Sequence, residues 1–181
     1  MKPWYLSAAI PLALAATGAP ALADNAPGCS NANLRGAYAV TTHGLRIGVY
    51  DTATPPAIHY LVSPLRTDII ALETFDGKGN AKVSEYVFVN GSDLTHGFHG
   101  GAVGTYHVNQ DCTGTETVTF SDGTDFERAF VLSHEGRSIH MLRTAQHLPA
   151  LPPAALPAGV TCSPPTGCDV AVQFHEDGER Y

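Results

Sequence analysis

The chain has 181 residues, of which ten are basic and seventeen are acidic, giving a formal net charge of −7. This acidic balance disfavours nucleic acid and anionic membrane surfaces as partners. A chain of this length can form one domain with a hydrophobic core of its own.

Residues 1–23 have the features of a secretory signal peptide. Lys2 supplies a positive charge, residues 6–16 form a short apolar segment, and Ala21-Leu22-Ala23 is a small-x-small cleavage site. The apolar segment is too short to span about 30 Å of hydrocarbon, and no later segment of the sequence is apolar enough to do so. We therefore expect a secreted or periplasmic protein, cleaved after Ala23, with no membrane span in the mature chain.

Four cysteines follow the predicted cleavage site. An even number of cysteines in an exported protein indicates disulfides, and four cysteines allow three pairings. Cys162 and Cys168 flank a Ser-Pro-Pro-Thr-Gly turn, which favours a local bond between them and leaves Cys29 to pair with Cys112. A zinc–thiolate site is disfavoured because no Cys-x-x-Cys pair is present.

Short segments rich in β-branched and aromatic residues dominate the chain from residue 34 to residue 144. The glycine-bearing turns between them, such as 76–80, 90–91 and 121–123, predict hairpins because Gly and Asn accept positive φ. No stretch has a helical period of useful length. About eight strands are predicted. The clear ones are 34–42, 67–75, 81–89, 102–109, 113–120, 126–133 and 137–144. Two shorter candidates are 46–50, after a turn at Gly44-Leu45, and 58–62.

An antiparallel meander must protect its two edges. Closing the first strand onto the eighth does so, and it predicts an all-β, eight-stranded antiparallel up-and-down β-barrel over residues 24–146. A two-sheet β-sandwich is the alternative, because both architectures share the same alternation of apolar and polar residues. Residues 147–181 are predicted to form a proline-rich tail held by the local disulfide, with 170–174 as a last edge strand and 176–181 loose.

Four sequence motifs together resemble a known family. Gly36-Ala37-Tyr38 lies in the first strand, and Thr74-Phe75-Asp76-Gly77-Lys78-Gly79 forms a hairpin turn. Gly104-Thr105-Tyr106 is followed by Asp111-Cys112-Thr113-Gly114-Thr115. In this order the motifs resemble small exported bacterial proteins of lipocalin-like, or allene-oxide-cyclase-like, barrel type. The resemblance implies a calycin-type barrel whose cavity opens at one end.

The more apolar face of each strand should point into the barrel, since only one face can be shielded there. Glu116 shares that face with Val118, and Arg128 alternates with Leu132 on the neighbouring strand. A buried carboxylate must be paired or neutral, so we expect an interior Glu116–Arg128 pair, which is either structural or able to orient a ligand. The predicted ligand-binding residues are Tyr38, Tyr106, Glu116, Phe120, Arg128 and Phe130.

The histidines His96, His99 and His107 form the densest group of possible metal ligands. Solvated histidines without a metal are favoured, because a metal site needs three or four convergent ligands. No Gly-x-Ser-x-Gly or Gly-x-Gly-x-x-Gly motif is present, so no cofactor is expected.

Three functions fit the predicted barrel. The favoured one is binding of a small, mostly apolar or amphipathic molecule outside the cytoplasm. The second is a cofactor-independent isomerase or cyclase of allene-oxide-cyclase type, with Glu116, Arg128, Tyr38 and Tyr106 lining the cavity. The third is a surface or interaction protein with a solid barrel. The sequence does not decide between an enzyme and a binding protein, and it does not indicate an oligomeric state.

Overall fold

The computed structural model describes residues 28–51 and 55–181, so the predicted signal peptide lies outside the described residues. Three short 3₁₀ helices cover Asn31–Asn33, His134–Gly136 and Pro153–Ala155. The described strands are β1 (Arg35–Asp51), β2 (Ala57–Asp76), β3 (Asn80–Val89), β4 (Ser92–Asp93), β5 (His99–Val108), β6 (Thr113–Thr119), β7 (Asp125–Ser133), β8 (Ser138–Leu148) and β9 (Cys168–Arg180). Within these ranges, no helix is long and apolar enough to cross a membrane.

All nine strands belong to one antiparallel sheet. Its order is β2-β1-β9-β8-β7-β6-β5-β3-β4, and an additional β2–β3 pairing closes eight of the strands into a ring. The predicted all-β, antiparallel, eight-strand architecture is therefore confirmed. The ring is not evenly barrel-shaped, and it is consistent with both the barrel and the two-sheet sandwich.

Strands β1 and β2 are each longer than predicted. Gly44 was expected to mark a turn, but it continues β1, and a Cβ built there would lie 2.1 Å from the Gln173 carbonyl oxygen. The glycine thus permits close approach of β9 rather than a chain reversal. The β1–β2 register shifts between Arg46 and Gly48, where residues 61–64 bulge from β2. Pro64 lies in this bulge, where no hydrogen bond to β1 requires its absent backbone N–H.

The last strand is the main departure from the predicted architecture. Residues 168–180 are neither an edge strand nor a loose tail, because β9 pairs with β1 on one side and with β8 on the other. The first strand therefore closes on β9 rather than on β8. The sequence pattern of this strand is hard to recognise, because its buried positions from residue 174 onward are Phe174, Glu176 and Gly178, of which only Phe174 is apolar and large.

The buried residues form two apolar clusters separated by polar side chains. The larger cluster includes Tyr38, Phe75 and Ile139, and the Cys29–Cys112 disulfide packs against it. The smaller cluster lies at the other end of the ring and includes Cys162, which is bonded to Cys168. The predicted disulfide pairing is confirmed. Two disulfides within the described residues indicate an oxidising environment.

Candidate ligand-binding site

The residues that the sequence predicted to point inward are buried in the ring. Each of them exposes 6% or less of its surface, which confirms the prediction of the inner face. The structure places Tyr38 and Tyr106 in an aromatic group at one end of the ring, and Glu116 and Arg128 in a charged group near the middle. Phe130 packs in the larger apolar cluster, and Phe120 packs against His99 and Phe126. The buried residues in question are Tyr38, Tyr106, Glu116, Phe120, Arg128 and Phe130.

The aromatic group closes the end of the ring that contains the first 3₁₀ helix. The hydroxyl of Tyr38 donates to the carbonyl of Gly136, and the hydroxyl of Tyr106 donates to the carbonyl of Leu34 at 2.7 Å. Phe75 packs edge-to-face between the two tyrosines, with both centroid distances at 5.3 Å. The tyrosine hydroxyls therefore already have protein partners at this end.

The charged group is centred on Arg128, which lies directly opposite Glu116 in the β6–β7 register. Arg128 Nη1 donates to Glu116 Oε2 at 3.0 Å and to Glu73 Oε1 at 2.6 Å. Arg128 Nη2 lies 2.8 Å from Glu176 Oε2. The predicted Glu116–Arg128 pair is thus one contact of a network that joins four strands across the ring.

The network holds its carboxylates in different ionisation states. Burial, reinforced by the charge of Glu73, raises the pKa of Glu116 to about 8. Burial also raises the pKa of Glu73. Burial alone would raise the pKa of Glu176 as well, but Arg128 and Arg143 outweigh it and hold that pKa at about 2. At pH 7, Glu116 is therefore mostly neutral and Glu176 is ionised.

Two phenylalanines contact the buried guanidinium groups. Arg143 lies over Phe126 at 4.0 Å and over Phe174 at 4.8 Å, and Arg128 lies over the Phe126 ring at 4.5 Å. Arg46 lies 5.7 Å from the Phe174 centroid. Such cation–π contacts stabilise charges that have left water.

A cavity opens at the other end of the ring, and we call it the mouth pocket. Its volume is about 620 Å³, within the range of small-molecule sites. The bulge of β2, the β3–β4 turn, the β6–β7 turn at Asp122 and Thr124, and the proline-rich segment surround it. Apolar side chains dominate its walls, among them Val62, Leu65, Val89, Leu94, Leu148 and Leu151.

Arg46 is the only cationic side chain among the described residues that line the mouth pocket. It is 7% exposed. Its Nε donates to Gln146 Oε1 at 3.2 Å and its Nη1 donates to Thr67 Oγ1 at 3.0 Å. Both partners are neutral, and no described carboxylate forms an ion pair with Arg46. Burial, followed by the charge of Arg143, lowers the pKa of Arg46 to about 10.

The burial of Arg46 could be predicted from the alternation of residues along β1 only if Gly44 is not a turn. In a continuous β1, Tyr38, Val40 and Arg46 share one parity and therefore one face. Splitting the strand at Gly44 broke this alternation and left Arg46 unassigned. Glu73 lies inside the predicted strand 67–75, where it shares one face with Ala71 and Phe75.

The three histidines of the possible metal group do not converge. His96 lies in an exposed turn, and its ring is 3.8 Å from Asp93. His99 stacks on Phe120 with a centroid distance of 6.1 Å, and His107 points outward from β5. Across residues 28–51 and 55–181, no group of three or more His, Cys, Asp or Glu side chains is arranged to hold a metal ion.

The chain matches no protein-family model, and no curated protein matches its sequence.

Proposed function

We propose that the protein binds a small, mostly apolar molecule in the mouth pocket. The observation that carries this proposal is an apolar cavity of about 620 Å³ at the end of the ring opposite the packed aromatic group. A pocket with apolar walls and a few polar groups suits a small amphipathic molecule. The lipocalin-like, calycin-type resemblance supports the same function, because it implies a cavity open at one end.

The proposed site differs from the residues chosen from sequence. Tyr38 and Tyr106 donate to backbone carbonyls, and Glu116 and Arg128 bind each other. These contacts favour a structural role for the four residues over contact with a ligand. They also disfavour the isomerase alternative, which needs the same groups free to reach a substrate.

We also propose that the protein is exported, with cleavage after Ala23. Two disulfides among the described residues support an oxidising compartment, and the features of residues 1–23 support a signal peptide. Intact mass measurement of the product from the periplasm or medium tests the cleavage. A mass that includes residues 1–23 contradicts it.

Titration with the neutral fluorophore N-phenyl-1-naphthylamine tests the binding site. We expect saturable fluorescence enhancement in the wild-type protein. Val62, which lines the pocket and is 72% exposed, provides a substitution with little cost to the core. Val62→Trp should weaken probe binding tenfold or more by occupying the pocket.

Val131→Trp is the matched control. Val131 is 49% exposed on β7 and lies outside the mouth pocket, so its replacement should leave probe affinity unchanged. Absence of saturable binding to the wild-type protein, or equal loss in both variants, contradicts the proposed site.

A further inference from the structure

The three buried arginines of the ring differ in their ion pairs, and the one that lines the mouth pocket has none among the described residues. Arg46, Arg128 and Arg143 are all buried. Arg128 contacts three carboxylates and Arg143 contacts Glu176, but Arg46 contacts none within the described part of the chain. Arg46 is therefore the interior guanidinium that has no ion-paired carboxylate among the described residues, so its desolvation is the least compensated of the three.

None of the described interior carboxylates forms an ion pair with Arg46. Glu116 is mostly neutral at pH 7, since its pKa is raised to about 8. Glu85 is half-buried and forms no ion pair with Arg46, although its charge raises the pKa of Arg46. Glu176 is committed to Arg128 and Arg143. The interior near Arg46 therefore favours an added negative charge.

The position of Arg46 defines where that charge would sit. Its two hydrogen bonds are made by Nε and Nη1, to Gln146 and Thr67, and they fix the guanidinium at the pocket wall. The surrounding walls are apolar, while the acidic Asp122 lies at the exposed rim. This arrangement suits a molecule whose charged head is inside and whose apolar body fills the rest of the pocket.

We propose that the ligand of the mouth pocket carries a single anionic group of carboxylate type, which Arg46 binds through a charge-assisted hydrogen bond. This inference rests on the proposed function, because it specifies the chemistry of the molecule that the pocket holds. A desolvated guanidinium–carboxylate bond is shorter and stronger than a neutral one, so it distinguishes an acid from the corresponding alcohol.

Competition against N-phenyl-1-naphthylamine at pH 7 tests the inference with decanoate and 1-decanol, which share one chain and differ in the head group. We expect decanoate to displace the probe from the wild-type protein at a concentration at least tenfold lower than 1-decanol. In Arg46→Gln, decanoate should lose tenfold or more in affinity, while 1-decanol and the probe keep theirs. Arg46→Lys should retain a preference for decanoate because it keeps the positive charge.

Retained probe binding shows that each variant is folded and that its pocket is intact. Equal displacement by decanoate and 1-decanol in the wild-type protein overturns the inference but leaves the proposed function standing. An equal loss of both competitors in Arg46→Gln also overturns it. Failure of the wild-type protein to bind the probe, decanoate and 1-decanol overturns the proposed function and the inference together.

Discussion

Arg128 and Arg143 lie directly opposite each other in the β7–β8 register, and one carboxylate holds both. Glu176 Oε2 is 2.8 Å from Arg128 Nη2, and Glu176 Oε1 is 3.0 Å from Arg143 Nε. Like charges opposite each other on adjacent strands are destabilising. Glu176 on β9 therefore offsets the electrostatic repulsion between Arg128 on β7 and Arg143 on β8.

Replacing Glu176 with Gln should destabilise the protein strongly at neutral pH. The substitution keeps the shape but leaves two buried arginines without their shared anion, a loss of about 3–5 kcal/mol. Urea denaturation at pH 7 measures it. Glu127→Gln on β7 is the control, because Glu127 is exposed and its replacement should change stability by less than about 0.5 kcal/mol.

The cost of Glu176→Gln should also depend on pH. The pKa of Glu176 is lowered to about 2, so its stabilisation is complete above its usual pKa of 4.5 and is lost as the pH falls towards 2. The difference between wild type and variant should shrink by about 1 kcal/mol between pH 7 and pH 3.5. A difference that is constant over this range contradicts the lowered pKa.

Glu116→Gln should show the opposite pH dependence. The pKa of Glu116 is raised to about 8 from its usual 4.5, so the folded protein binds the extra proton and wild-type stability falls as the pH rises through this interval. The amide does not ionise. Relative to wild type, Glu116→Gln should therefore gain at least about 1 kcal/mol between pH 5 and pH 8 in urea melts, and a relative loss contradicts the assignment.

Local alternation along the sequence was enough to predict the inner face and the Glu116–Arg128 pair. These two residues lie on consecutive strands joined by a short turn, so parity and hairpin register place them together. Glu176 and Arg46 were missed for a different reason. Their partners lie on strands that are distant in sequence. In addition, Glu176 follows the proline-rich segment and Arg46 follows Gly44, and both of these features predict an interruption of the sheet.

The two disulfides should differ in their contribution to stability. Cys29–Cys112 closes a separation of 83 residues, and Cys162–Cys168 closes one of 6. In the chain-entropy description, these separations correspond to contributions of about 4.5 and about 2 kcal/mol to the free energy of unfolding. The Cys29→Ser/Cys112→Ser protein should therefore unfold at lower urea than the Cys162→Ser/Cys168→Ser protein, and the reverse order contradicts the prediction.

Truncation tests the position of the last strand in the ring. Deleting residues 168–181 removes β9 and exposes the edges of β1 and β8, so we expect aggregation and loss of the cooperative urea transition. Deleting only Tyr181, which is 77% exposed and lies beyond β9, should leave the transition in place. A stable, monomeric product from the longer deletion contradicts the structural role of β9.

The pairing of β1 with β9 also bears on when the ring closes during folding. The register joins Tyr38 to Arg180, near opposite ends of the described chain, and contacts between such distant residues form slowly. Synthesis delivers β9 after every other described strand. Arg128 and Arg143 acquire Glu176 only when β9 docks, so neutralisation of the interior coincides with closure of the ring, and we expect that closure to be the last and slowest step of folding.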